Sequence, residues 1–322
     1  MKMCKVGLIG GLALALLSAG VQAQDYPSRP ITIIVPFPGG GTADLMPRVI
    51  QDSLAATLGT SIIIENRSGA SGTTGATAVA RAAPDGYTLL ASVNPPISQN
   101  IFLQKNLPYD PQKSFAPISI IATTPLFMVV HPSLPVKTVA ELVAYAKKNP
   151  GKLFFGSAGI GTGQHIVGEL INKRAGVEMV HLPYRGTGPM MADLLSGQFQ
   201  LGFSTPAGVL ALAEAGKVNL IAVAEKKRYH AMPNMPTIAE TIPGIDFESW
   251  YALFAPAGTP KAIIDKLHAA SVIATKDPKV IAKFKETAVD VVGSTPQEVA
   301  DLITSDLAKY KVDLPLIGLE PQ

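Results

Sequence analysis

Apolar positions along this chain follow two alternating rhythms. Ile31 to Val35 is a β-branched run that stops at Pro36, Gly39, Gly40 and Gly41 follow, and Leu45, Val49, Ile50 and Leu54 then recur near helical spacing. The pattern predicts strand, tight loop and helix, with the helix running to about Leu58. The cycle then repeats. Ile62 to Ile64 reads as a strand ending at Glu65-Asn66-Arg67, Ser68 to Gly72 as a small-residue loop, and Thr73 to Ala82 as an alanine-rich helix. Tyr87 to Ala91 is a strand followed by a loop over Ser92 to Pro96, and Lys105 to Lys113 is turn-like. Phe115 to Thr124 and Phe127 to Val130 read as strands, and Val139 to Lys148 as a helix.

The second half opens on the same arrangement. Leu153 to Phe155 is a strand, Gly156 to Gly163 a loop and Ile166 to Lys173 a helix; Val177 to Leu182 leads through Pro183 to Gly188 into a helix over Pro189 to Leu195. Phe199 to Phe203 ends at Ser204-Thr205-Pro206 before a helix to about Ala215, and Leu220 to Ala224 is a strand. Arg228 to Pro243 is turn-rich, Phe247 to Phe254 extended, and Pro260 to Lys311 mostly helical. Such alternation predicts an α/β fold with parallel sheets covered by helices, and two units fit the pattern better than one. Chain crossings near Thr124 to Pro132 and Pro243 to Ala255 set residues 126–244 apart as one expected lobe. Residues 24–125 plus 245–322 make the other.

Composition alters this picture at the N-terminus. Lys2 and Lys5 precede an apolar run from Val6 to Leu17, and Val21-Gln22-Ala23 supplies small residues at cleavage-site spacing, so residues 1–23 are expected to be a secretory signal peptide. A run of about 12 residues falls short of the roughly 20 a membrane span needs. The only cysteine, Cys4, falls in that segment, which leaves the exported chain without a disulfide, thiolate metal site or cysteine nucleophile. Removing Lys2 and Lys5 leaves 25 basic against 24 acidic residues, so the formal charge drops from +3 to +1. With no basic stripe, nucleic acid binding has no support.

The strand ends carry the candidate chemistry. Glycines after the first strand bring backbone N–H groups and a helix N-terminus together, which suits an anion, with Thr42 as the expected cap. A tight β–α turn without a ligand accounts for the same residues. The stretch is neither a G-x-G-x-x-G fingerprint nor a phosphate loop ending in GlyLys(Ser/Thr), so ATP and NAD are not expected. Ligands in open α/β sheets settle at the carboxyl ends of strands. A shared cleft would gather Pro38 to Ala43, Ser68 to Gly72, Ser92 to Asn94, Ser157 to Gly163, Tyr184 to Gly188 and Ser204 to Thr205, whose donors are amides and hydroxyls. His165 near Ser157 invites a catalytic reading, but there is no G-x-S-x-G elbow, and a local hydrogen bond at a helix start is the plainer expectation. His131, His181, His230 and His268 show no i, i+4 pairing or HExxH signature, so no metal is expected. Asp44 and Arg48 predict an intrahelical ion pair, Arg185 a solvated or anion-facing cation, and Trp250-Tyr251 core or hinge packing.

Tyr26 to Pro30, then ValProPheProGlyGly at Val35 to Gly40 with Asp44 and Arg48, resembles the start of the mature solute receptors of tripartite tricarboxylate transporters, the Bug family of periplasmic binding proteins. The likeness continues through Glu65-Asn66-Arg67, Ala83 to Tyr87, Leu107 to Asp110, Pro150-Gly151-Lys152, Ser157-Ala158-Gly159 with Gly161, Thr162 and His165, Pro183 to Gly186, Pro233 to Glu240 and Ala255 to Pro260. It implies a non-catalytic, two-lobed periplasmic binding protein fold, two parallel or mixed sheets flanked by helices, closing on a small organic acid for delivery to a membrane permease. A monomer without cofactor or metal is expected. The resemblance places the ligand carboxylate on the first loop, Phe37 to Ala43, with ordered waters, and on Ser157 to Thr162. Expected ligand contacts are Phe37, Gly39, Gly40, Gly41, Thr42, Ala43, Ser92, Ser157, Gly161, Thr162, His165, Arg185 and Ser204. Many relatives carry aspartate where this chain has Ser204, which disfavours an amino-acid ligand and points to dicarboxylates, tricarboxylates or aromatic acids. The competing class is a cleft hydrolase or isomerase using Ser157, His165 and Asp44, or a ligand-sensing signalling partner.

Overall fold

The computed structural model describes residues 26–287 and 289–321; the expected leader over 1–23, with Cys4, lies outside them. The chain starts with β1 (Ile31–Val35), α1 (Thr42–Leu58), β2 (Ile62–Asn66), α2 (Thr73–Ala80), β3 (Thr88–Ser92), the short α3 (Asn100–Leu103) and β4 (Phe115–Thr124). It crosses to β5 (Phe127–Val130), α4 (Val139–Lys148), β6 (Leu153–Ser157), α5 (Gly163–Ala175), β7 (Met179–Pro183), α6 (Thr187–Leu195), β8 (Leu201–Ser204), α7 (Pro206–Glu214) and β9 (Asn219–Val223). A return segment leads to β10 (Ser249–Pro256), α8 (Lys261–Lys276), α9 (Pro278–Glu286), β11 (Asp290–Val291) and α10 (Pro296–Leu316).

The strands form two sheets, ordered β11-β4-β10-β3-β1-β2 and β7-β6-β8-β5-β9. Both are mixed. β1 runs parallel to β2 and β3, and β6 to β7 and β8, as βαβ connections require; β10, β11 and β5, the strands reached by crossing or returning, pair antiparallel. Side chains alternate across each sheet. Tyr251, Leu253 and Ala255 of β10 enter one core while Trp250, Ala252 and Phe254 enter the other, so both faces are apolar and need helices on each side. In the second sheet Met128 and Val130 of β5 face one core and Phe127 and Val129 the other. Each fully buried Leu, Ile or Phe in these layers contributes about 1.5–3 kcal/mol.

The crossings lie side by side. Ala224 N–H donates to Leu126 O at 2.9 Å and Phe247 N–H to Ala224 O at 2.8 Å, tying both traverses into one narrow joint. α10 spans that joint. Its first half, Val299, Ile303 and Leu307, packs into the core of the first sheet, whereas Tyr310, Leu314 and Ile317 pack into that of the second. Asp313 pairs with Arg174 of α5 at 2.7 Å, and Asp306 accepts from Trp250 Nε1 at 2.9 Å and from Ser98 Oγ at 3.1 Å.

Candidate functional site

The loop after β1 is held from within. Asp44, 4 % exposed at the third position of α1, reaches back to accept the Gly40 amide at 2.9 Å and takes Asn66 Nδ2 at 2.8 Å and Arg48 Nε at 2.9 Å. Asn66, at the end of β2, also donates to Phe37 O at 3.0 Å. The Arg48 guanidinium, helped by the Gly40 amide and Asn66, holds the Asp44 carboxyl down at about 2 against the effect of burial. The expected Asp44–Arg48 ion pair is present, but Thr42 is not the cap: Gly41 occupies that position with no side-chain bond, because Asp44 satisfies the loop by reaching back. Gly40's amide is thus engaged by protein. Those of Gly39, Gly41, Thr42 and Ala43 have no protein acceptor among the described residues.

Neighbouring strand ends converge on this loop. The Phe37 ring packs over Gly72 beside Pro96, so close that a Cβ on Gly72 would lie 2.5 Å from Pro96 and 3.2 Å from Phe37. Ala70 and Ser71 both take left-handed conformations, at φ 46° and 53°, each costing on the order of 1 kcal/mol. Gln104 and Asn100 hold them by donating to Ala70 O and Ser71 O. Ser92 is buried and bonds its own neighbour, Val93 O.

The loop after β6 is satisfied internally too. Ser157 Oγ, fully buried, bonds the Gly159 amide at 3.1 Å and His181 Nε2 at 2.6 Å; Gly161 N–H donates to His165 Nδ1 at 3.1 Å, and Thr162 Oγ1 to Gly159 O at 2.7 Å. Gln164, not singled out by sequence, is the clamp. It accepts from Ala158 N and donates to Phe203 O at 2.7 Å, pinning this loop to the end of β8. The Tyr184–Gly186 segment is laced alongside by Tyr184 N–H to Ser157 O and Gly186 N–H to Ala158 O, which leaves Arg185 exposed at the rim. Ser204 Oγ is buried without a partner, a condition that costs on the order of 1–3 kcal/mol. The two halves meet where Leu103 of α3 lies 3.1 Å from the space a Gly161 side chain would fill.

Ser157 therefore pairs with His181, not His165; β7 delivers His181 through a parallel register that places it beside Phe155. The His165 and His181 rings stack at 4.0 Å, and burial pushes both down to about 4, so each is neutral at pH 7. With Glu169 they form a group close enough to hold a metal, which sequence spacing had not brought together. Lone-pair accounting argues against one. A neutral imidazole has a single free lone pair, and that of His165 already receives the Gly161 amide. Two nearly parallel rings, 21° apart, also cannot aim in-plane lone pairs at one ion. A Ser–His pair alone is not a hydrolytic triad, and this serine is sealed from solvent. A groove of about 680 Å³ lies elsewhere, between Tyr229–Ala231 and Thr275–Val292, and contains none of these residues.

Comparison with known proteins bears on this arrangement. The family described as "Tripartite tricarboxylate transporter family receptor" matches residues 46–319. An R. palustris protein solved with adipate superimposes at a TM-score of 0.82 with 34 % identity over 92 % of this chain and 100 % of its own. The periplasmic binding protein BugD gives 0.79, with 34 % identity over 92 % and 100 %. MatC from Rhodopseudomonas palustris, with bound malate, gives 0.77 at 31 % identity over 91 % and 100 %.

Proposed function

We infer a function from one premise: the chain belongs to the tripartite tricarboxylate transporter receptor family. It acts as a periplasmic receptor that captures a small organic acid, a dicarboxylate before other classes, and passes it to a membrane permease without changing it. It works as a monomer of two lobes, about residues 24–125 plus 245–322 and about 126–244, that close by bending at the Leu126–Ala224–Phe247 joint. The observation that carries the reading is the set of amides without a protein acceptor at Gly39, Gly41, Thr42 and Ala43, on a loop fixed in place by Asp44 and Asn66. Preorganised N–H donors at a helix start meet a carboxylate without reorganising. Adipate and malate in the similar structures are both dicarboxylates, which supports the same class here.

Calorimetry on the leaderless protein with succinate, malate, adipate, citrate, benzoate and glutamate tests this, together with mass spectrometry of acid retained through mild purification. Saturable binding of at least one non-amino acid, recovered intact, is expected. Binding of none, or recovery of a chemically altered acid, overturns the receptor reading.

A further inference from the structure

We propose that His230 and Asp290 form a latch behind the joint that holds the two lobes apart and so tunes the affinity for an acid; this rests on the receptor reading above. His230 Nε2 donates to Asp290 Oδ1 at 2.7 Å, and Tyr229 Oη lies 3.4 Å from the same oxygen. The partners belong to different lobes. Tyr229 is buried in a core of the second sheet with its ring edge-on to Phe127 at 5.9 Å, and it carries His230 with it. Asp290 opens β11, which pairs with β4 opposite Thr123 in the first sheet.

Strand order places this contact on the far side of the joint from the amide loops. In the first sheet β3, β1 and β2 lie on one side of the β4–β10 pair and β11 on the other; in the second, β8, β6 and β7 lie on one side of β5 and β9 on the other. The joint links β4 and β10 to β5 and β9. A rotation about it that draws the loops after β1 and β6 together therefore draws β11 away from the segment after β9. The chain stands at the open end of that motion. Gly39, Gly40 and Gly41 are exposed, and a Cβ on Gly40, or on Gly186 of the facing lobe, would meet nothing within 4 Å. Closure thus has to break the His230–Asp290 bond. The groove of about 680 Å³ between Tyr229–Ala231 and Thr275–Val292 leaves the back of the joint loosely packed, so a single hydrogen bond weighs there. His230 and Asp290 are positioning residues, acting on the ligand through the angle between lobes and not by touching it. Where the open form dominates, weakening it by a given factor tightens apparent binding by the same factor.

The test uses the leaderless protein and whichever of succinate, malate and adipate it binds most tightly. By calorimetry, His230→Ala is expected to tighten binding about two- to fivefold, the range of an exposed charge-assisted contact, and His230→Gln, which keeps a donor for Asp290, to return it to the wild-type value. A pair that merely supported the fold would lower the melting temperature without raising affinity. Cys4 is the only cysteine in the sequence, so in the leaderless protein His230→Cys together with Asp290→Cys can be joined by a short bis-methanethiosulfonate linker. The linked protein is expected to bind at least about tenfold more weakly and to recover once reductant cuts the linker, whereas the same double variant treated with a one-armed reagent binds at least as tightly as the wild type. Unchanged or weaker binding in His230→Ala, or full-strength binding by the linked protein, overturns the latch while leaving the receptor reading standing. Binding of no acid by the wild type overturns both.

Discussion

Replacing Asp44 with asparagine removes one charge from the most connected side chain of the first loop while nearly keeping its shape. In the fold this carboxyl sits at about 2 against an ordinary 3.8, held there first by Arg48 and then by Gly40 and Asn66. A depressed acid means that the unfolded chain takes up the proton first, so the stabilisation is complete above about pH 4 and disappears as pH falls through 2. A gap of roughly 1.8, at about 1.4 kcal/mol for each pH unit, sets an upper bound of about 2.5 kcal/mol at pH 7, which solvent around the 43 % exposed Arg48 side chain reduces. The same linkage leaves only about 0.8 kcal/mol at pH 2.5. Urea denaturation of the wild type and Asp44→Asn should therefore differ by up to about 2 kcal/mol at pH 7 and by under about 1 kcal/mol at pH 2.5. A difference below about 0.5 kcal/mol at pH 7, or one undiminished in acid, would refute the role of Asp44 as an ionised anchor. Acid affinity should fall in the variant as well, because asparagine has one acceptor oxygen where Asp44 uses two, so either the Gly40 amide or the Asn66 and Arg48 donors lose their partner.

Four further outcomes follow from particular contacts. Gly41→Val places its Cβ near nothing closer than Pro38 O at 3.9 Å with φ at −85°, so its stability cost should stay at about 1 kcal/mol, that of a poorer helix cap, while carboxylate affinity falls at least about tenfold by calorimetry. Gly40→Val, at φ +84°, should instead cost at least about 1 kcal/mol in denaturant unfolding through backbone strain, which makes it the poorer probe of ligand approach. Gly168→Ala drives a Cβ to 2.1 Å from the Phe155 ring, so α5 must shift off β6, with an expected loss of about 1–3 kcal/mol in the same assay; an unchanged midpoint would contradict that packing. Burial lowers His165 and His181 to about 4 from 6.5, so the unfolded state binds their protons first and their contribution is full above pH 6.5 and lost toward pH 4; ring resonances that titrate near pH 6.5 by NMR would contradict it.

The sheets were legible because short apolar runs such as Ile31–Val35 and Leu153–Phe155 end at glycine-rich turns, and these became β1 and β6. Two short elements escaped. β11 is only Asp290–Val291, set by pairing with β4 rather than by local pattern, and α3 is a single turn anchored by its one buried residue, Asn100, which bonds Ser71 O and Thr73 Oγ1. Site logic was legible at the level of loops, not of atoms. Glycines and a helix start mark where donors gather, but the spending of Gly40's amide on Asp44 and of Gly161's on His165 depends on rotamers that no spacing encodes. His181 shows this clearly. It is 24 residues from Ser157 in sequence and meets it only because β7 lies parallel beside β6.

The chain contains one tryptophan, and its position makes it an optical gauge. Trp250 begins the return strand at the joint, is 1 % exposed, and gives its indole N–H to Asp306 on the helix that rides both sheets. Water contributes little to its emission, so the colour and yield of that emission follow the distance and orientation of a single carboxyl on α10. Bending that shifts α10 against β10 changes that geometry before any surface group senses it. If the lobes close as proposed, the unlabelled protein carries its own fluorescence readout of it, and a ligand titration followed at the tryptophan band would record movement of the joint rather than occupancy of the cleft.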